Sequence, residues 1–292
     1  MQTPPPFEYE RATSVTHALQ LLERHGPEAR LLAGGHSMLP MMKLRIARPE
    51  LLIDINDLVS ELNYIRIEGD ELCIGAMARH ADVLNSALVG EHFKILHDAE
   101  RVVADPVVRN RGTVGGSLGQ ADPSEDLSAA FAAVHANVVV TNSTGKRSVS
   151  SRAFSTGYYE TVCGPAEMIT EVRIPIRPGV GSSYQKIERR IGDWAVAAVG
   201  ACVWMNGDTV TNLGIGVTAV GAQHHCSPEA EAILRGNVVT DELIEAAGAM
   251  VSSTCAPQAD QRGPEDYKRH LAGELTKRAL RSAIARSKGQ AG

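Results

Sequence analysis

The 292-residue sequence has no C-x-x-C pair and no iron–sulfur ligand spacing. Its five cysteines, Cys73, Cys163, Cys202, Cys226 and Cys255, are scattered. An odd, dispersed set in a chain of this length reads as reduced core thiols and a cytosolic home. No apolar run approaches the ~20 residues of a membrane-spanning helix. The opening MQTPPPFEYERATS lacks a basic segment and an apolar core, so no signal peptide is expected. There is no basic surplus; the net charge of −5 argues against a nucleic-acid binder. Walker and H-E-x-x-H motifs are missing. Gly214–Ala219 matches G-x-G-x-x-A, but it falls inside an expected strand with no helix opening at its end, so it is not read as a cofactor loop. His224-His225 has only Cys226 nearby as a further ligand and reads as a surface turn.

What remains is ordinary globular material, 43% apolar and 22% charged. The length is enough for roughly two domains of ~150 residues. Within it, Leu31–Arg45 (LLAGGHSMLPMMKLR) stands out. Leu31 and Leu32 suggest a short buried strand. Gly34 and Gly35 permit a tight turn with φ > 0 and leave no Cβ between chain and ligand. Ser37 suits an N-cap for a helix from Met38, with Pro40 tolerated in its first turn. Strand, glycine turn and helix start aim free amides at one point, which suits an anion such as phosphate. His36, inside this segment, can hydrogen-bond a phosphate or simply pack.

A second stretch, Arg109–Asp126 (RNRGTVGGSLGQADPSED), carries its own pair, Gly115 and Gly116, with hydroxyls on Thr113 and Ser117. Two glycine loops with hydroxyls can grip a pyrophosphate from both sides. Asp122, Pro123 and Glu125 occupy the N-cap, N1 and N3 positions of an expected helix. Asp126 then lies in its first turn, compensating the dipole or binding a ligand.

Elsewhere, a helix is expected around Val15–Leu22, capped by Ser14 and stopped at Gly26. Leu51–Ile55 reads as a buried strand, and Leu62–Ile67 with Leu72–Gly75 as a hairpin. A helix carrying Ile95, Leu96, Ala99 and Val102 should end before Asp105-Pro106. Another hairpin surrounds Asn142–Lys146, and Met168–Ile176 alternates like a strand. Arg177-Pro178-Gly179 is the candidate boundary. Beyond it, Ser183–Arg189, Ala195–Met205 and Thr209–Val220 form three antiparallel strands, with Asn206-Gly207 at a hairpin turn. Helices over Pro228–Arg235, Asp241–Ser253 and Pro264–Arg286 close the chain. Trp204 is expected in the core. Lys43, Arg45 and Arg48 form a basic cluster, either a solvated helix end, a docking surface or a phosphate contact.

The segments AGGHSMLPMMKLR and RNRGTVGGSLGQADPSED resemble the two flavin-pyrophosphate loops of the FAD-binding medium subunits of molybdenum hydroxylases. That family includes the flavin parts of xanthine dehydrogenases and aldehyde oxidases and the medium subunit of aerobic carbon monoxide dehydrogenase. KIERRIGDWA and RGPEDYKRHLAGELTKRAL extend the likeness, toward the last of these, nearly end to end. The resemblance implies an α+β fold. Residues 1–177 would be a two-lobed FAD-binding domain of PCMH type, with lobes of about 1–58 and 59–177. Residues 178–292 would be a small domain of three antiparallel strands and helices that closes over the isoalloxazine.

It also implies non-covalent FAD in contact with Ala33, Gly34, Gly35, His36, Ser37, Thr113, Val114, Gly115, Gly116, Ser117 and Asp126. Ile169, Lys186, Asp193 and Trp194 are further implied contacts, Trp194 standing where relatives carry Tyr. No catalytic or metal-binding residue is expected in this chain. Molybdenum cofactor and [2Fe-2S] clusters would sit on a large and a small partner subunit, in a dimer of heterotrimers. Electrons would pass through FAD to a quinone, in the cytoplasm or at the inner face of the membrane. The alternatives are the flavin subunit of another molybdenum hydroxylase (purine, nicotinate or aldehyde), a self-contained flavin oxidase, and an adaptor without FAD.

Overall fold

The computed structural model of the chain describes residues 3–290. Residues 1, 2, 291 and 292, at the outer ends of the two expected domains, and the side chain of His225 lie outside the described residues. The strand expected at Leu51–Ile55 forms over Leu51–Asp54. It is the middle of a three-stranded sheet, parallel to both Glu8–Arg11 and Ala29–Leu32. Parallel neighbours need crossovers. The helix Val15–His25 supplies the first, with Ser14 accepting from the His17 amide and Gly26 ending it at φ 55°. The second crossover starts with Gly34-Gly35 and runs through the helix Met38–Lys43. The first glycine segment therefore leaves the carboxyl end of a parallel strand, where open sheets bind ligands. Ala18, Leu19 and Leu22 pack with Leu51, Ile53 and Met168 beneath it.

The second lobe is a five-stranded antiparallel sheet in the order Ile65–Glu68, Glu71–Gly75, Met168–Pro175, Asn137–Asn142, Gly145–Ser150. Its two hairpins stand where turn residues placed them. Between them the chain makes a helical excursion that carries the second glycine segment. The helix Leu127–Ala133 at its end is buried throughout.

Val180–Ile187, Ala197–Asn206 and Thr209–Thr218 form the expected antiparallel sheet, and His225–Cys226 adds a short fourth strand. Side chains of the middle strand alternate between two cores, as strand geometry requires. Ala198, Cys202 and Trp204 face the second lobe. Ala197, Val199, Ala201 and Val203 face the helices Pro228–Leu234, Asp241–Thr254 and Glu265–Ser287. Gly214 and Gly216 have a packing role. A Cβ on them would meet the Ala133 and Ala129 carbonyls at 2.0 and 2.1 Å, so they let the helix Leu127–Ala133 lie directly on the sheet.

Two expectations about the second glycine segment fail. That segment is not a loop. Val114–Gln120 is helical, and Thr113 caps it by accepting from the Gly116 amide. The next helix begins at Leu127 rather than after Asp122, and Asp126 makes no side-chain cap. Asp122 instead accepts from the Ser124 amide in a local turn. Glu125 does the capping, because its carboxylate accepts from the Leu127 and Ser128 amides at 2.8 and 2.7 Å. Capped from one residue upstream, the helix leaves Asp126 free to face elsewhere.

Candidate functional site

A cleft of about 490 Å³ opens between the two lobes, within the usual range for small-molecule sites. One wall is Ala33, Gly34, Gly35, His36 and Ser37; facing it are Thr113, Gly115, Gly116 and Ser117, and Ile169 lies on the floor. The walls are chemically unequal. The amides of Gly34, Gly35, His36 and Ser37 donate to no acceptor among the described residues. Ser37 makes no side-chain cap, so its hydroxyl too is uncommitted to the helix that follows. Gly35, at φ 82°, lets consecutive amides converge.

On the opposite wall the amides are already used. Val114 donates to Ala78 O and Gly115 to Ala76 O, at 3.0 and 2.8 Å; Ser117 donates to Thr113 O at 2.9 Å. Gly116 donates to Thr113 Oγ1 at 3.1 Å. The Ser117 hydroxyl donates to Glu125 at 3.0 Å, so it is not the free donor that the sequence suggested. The second segment thus contributes shape and the Thr113 hydroxyl proton, and the first contributes the anion cradle. A phosphate between them fits: bare backbone on both sides, and free donors on one.

The remaining sequence candidates lie outside this cleft. Val114 is wholly buried in the core beneath its helix. Asp126 and Lys186 form a buried ion pair at 2.9 Å, their side chains 5% and 2% exposed. Tyr184 donates to the other Asp126 oxygen at 2.8 Å, and Lys186 also donates to the Val102 carbonyl at 3.0 Å. Burial pushes the Asp126 carboxyl up to about 6, although Lys186 and Tyr184 pull it down. Asp193 accepts from the Trp194 amide, and that bond holds its carboxyl below the usual range. Trp194 itself is 44% exposed. Their loop rests on the Ala104 carbonyl through Gly192, next to the Val102 carbonyl that Lys186 holds. The pair, the loop and Trp194 form a second cluster along the 102–104 turn. His224, expected on a surface turn, is instead packed 3.6 Å from Glu125, and burial pushes its ring down to about 4.

Sequence reasoning missed the outer wall, Thr161, Cys163, Pro165 and Glu167, and also Arg30 and Gln120. Gly164-Pro165 just before a strand was the available signal. That wall is tied down by Arg147, bidentate on Glu167 at 2.6 and 3.0 Å, while Glu167 also accepts from the Gly164 amide at 2.9 Å. The Arg147 bonds hold the Glu167 carboxyl at about 2, against 4.5 when unfolded. Its contribution is therefore complete above pH 4.5 and fades as pH falls toward 2. Glu167→Gln should speed ligand loss at pH 6 and flatten the acid dependence between pH 5 and 3, read as cofactor release rate. An unchanged acid profile would show that the wall is held otherwise.

Comparison with known proteins agrees with this geometry. The family described as the FAD binding domain in molybdopterin dehydrogenase matches residues 5–177, and the CO dehydrogenase flavoprotein C-terminal domain matches residues 182–283. The carbon monoxide dehydrogenase medium chain of Hydrogenophaga pseudoflava is 41% identical, over 97% of this chain and 99% of its own. The glyceraldehyde dehydrogenase medium chain of Sulfolobus acidocaldarius is 34% identical, over 95% and 98%. A solved structure of the Hydrogenophaga pseudoflava carbon monoxide dehydrogenase superposes with a TM-score of 0.94 at 42% identity, covering 97% of this chain and 99% of that one. With both domains matched and a cleft that fits the cofactor, the chain belongs to the FAD-binding medium-subunit family of the molybdenum hydroxylases.

Proposed function

We propose that this chain is the electron-transfer subunit of a molybdenum dehydrogenase that oxidises carbon monoxide. It would take electrons from a small iron–sulfur subunit and pass them to a quinone. The observation that carries the reading is a cleft built to hold a pyrophosphate and equipped for little else. Among the described residues its titratable lining is Arg30, His36, Cys163 and Glu167, and Glu167 is committed to Arg147. No paired acid and base stands ready for a substrate, which disfavours a self-contained oxidase. The free amides of Gly34–Ser37 disfavour an adaptor that has lost its cofactor.

FAD supplies the redox chemistry when bound, since a flavin exchanges electrons singly or in pairs. The chain's part is to bind and place it. Gly34–Ser37 would hold the pyrophosphate, with Thr113 and the Gly115-Gly116 backbone closing over it. Ile169 would support the group from the floor. Asp126, Lys186, Asp193 and Trp194 would lie at the isoalloxazine end, where an aromatic side chain can stack on the ring. Residues 1–177 and 178–292 are the two working units in this reading, and the second covers the ring.

The complex would pair this chain with a large molybdenum subunit and a small iron–sulfur subunit, doubled by two-fold symmetry. Among the described residues no helix is long and apolar enough to cross a membrane. A cytoplasmic complex that meets quinone at the inner membrane face fits that. Lys43, Arg45 and Arg48 are exposed beside Leu44 and Ile46, which are 61% and 69% exposed, and offer one docking face.

The test is anaerobic. Carbon monoxide should bleach the flavin band of the assembled complex and leave that of the isolated chain intact. Bleaching of the isolated chain would overturn the division of labour. Bleaching of the complex by an aldehyde or purine but not by carbon monoxide would keep the architecture and replace the substrate.

A further inference from the structure

We infer that Arg79 and Asn56 form a latch between the lobes that fixes the spacing of the two glycine segments and so sets how long FAD is retained; this rests on the cofactor reading above. The walls of the cleft come from different lobes and touch where Gly34 lies on the Arg111 carbonyl. A Cβ on Gly34 would be 2.1 Å from that oxygen. This contact is only a close approach of backbone to backbone. Beside it, and in addition to the packing of Met77 and Met168 on the first lobe, runs a series of side-chain bonds that spans the two walls. Arg79 donates through one guanidinium nitrogen to the Arg111 carbonyl and through another to Asn56 Oδ1 at 3.0 Å. Asn56 Nδ2 donates to the Ala33 carbonyl at 2.7 Å. The bonds thus run in series from Ala33, beside the anion cradle, to Arg111, just before the capped helix.

Both latch residues are themselves fixed. Asp54 Oδ1 accepts from the Asn56 amide and from Nδ2, at 2.8 and 2.7 Å. The Arg79 amide donates to Asp82 at 2.9 Å, and Arg79 forms an antiparallel bridge with Thr113. The next residue, His80, donates its amide to the Gly112 carbonyl at 3.2 Å. Neither Arg79 nor Asn56 lines the cleft, so both act through the backbone they hold and are positioning residues. A planar guanidinium serves two acceptors in fixed directions, whereas a lysine ammonium is a point charge on a flexible stem.

The experiment measures FAD release from the full chain in its complex. Arg79→Gln and Asn56→Ser should each speed release about tenfold, the range of one hydrogen bond to a charged group. Arg79→Lys should fall between Arg79→Gln and the unaltered chain. The double variant should be no faster than the worse single, because bonds in series fail together. The flavin-free variants should melt with the flavin-free parent, which separates positioning from a general loss of stability. Parent-like release in both single variants would overturn the latch, as would effects that multiply, or a matching fall in flavin-free melting temperature. A parent complex without flavin would overturn the cofactor reading and this inference with it.

Discussion

Gly34→Val is expected to yield folded protein that purifies without flavin. The new Cβ would stand 2.1 Å from the Arg111 carbonyl oxygen and 2.8 Å from its carbon. Both atoms are backbone, so relief requires the two walls to part by on the order of 1 Å, a displacement that can cost ~10²-fold at a site built for one geometry. The second lobe has a large buried cluster of its own, and the cluster under the three-stranded sheet is tied to it through Leu62, Met77 and Met168, so the fold should survive a small parting of the walls. Gly35→Val should also lose flavin, for a different reason. At φ 82° a β-branched residue is strained, and the backbone would rotate its amides out of the cradle. Gly116→Val should do least of the three. Its φ lies outside the left-handed region, and its amide is already taken by Thr113, so the penalty is a Cβ 2.6 Å from Thr113 Oγ1 and a weakened cap. Loss of a cap typically costs ~1 kcal/mol. The ratio of flavin to protein absorbance ranks the variants. Stoichiometric flavin in Gly34→Val would mean that the walls do not grip the cofactor.

These differences mark how far the sequence could be read. Gly34-Gly35 was legible because its signals are local, an apolar pair followed at once by a glycine turn, although the cap expected of Ser37 does not form. The three-stranded part of the C-terminal sheet was legible for the same reason, through alternation and Asn206-Gly207. The helical state of Val114–Gln120 was not, because three glycines in seven residues lower helix propensity, and the signal that offsets them is a single cap residue, Thr113. The capping role of Glu125 was hidden because Asp122-Pro123 matched the start of a helix better, whereas the helix begins at Leu127. His224 shows the same limit. It is buried beside Glu125, a neighbour about a hundred residues away that no local signal supplies. Lys186 entered through family likeness alone, and Asp126 had only its place in an expected first turn besides. Sixty residues apart, nothing local ties them, and the structure shows that they serve each other.

That pairing gives the second large effect. Lys186→Met should destabilise the chain by about 3–5 kcal/mol, the usual consequence of removing one partner of a buried ion pair. The cation answers both Asp126 at 2.9 Å and Glu188 at 3.3 Å, so its loss leaves a buried carboxylate uncompensated. For a domain pair of this size the melting temperature should fall by roughly 10 °C. The loss should also depend on pH in a definite direction. The Asp126 carboxyl sits at about 6 in the folded chain, above its unfolded value of 3.8, so the folded state binds the proton more tightly. Stability tied to this group is then present at low pH and is lost as pH rises through the folded value. Without Lys186 that value climbs further, and protonation at pH 5 should relieve most of the strain. The variant should therefore melt close to the parent at pH 5 and well below it at pH 8. Asp126→Asn combined with Lys186→Met should recover part of the difference at pH 8, because a neutral amide has no charge to strand. Equal losses at both pH values would show that Lys186 acts by packing its stem against the Val102 turn, and the two residues would then be coupled by shape rather than charge.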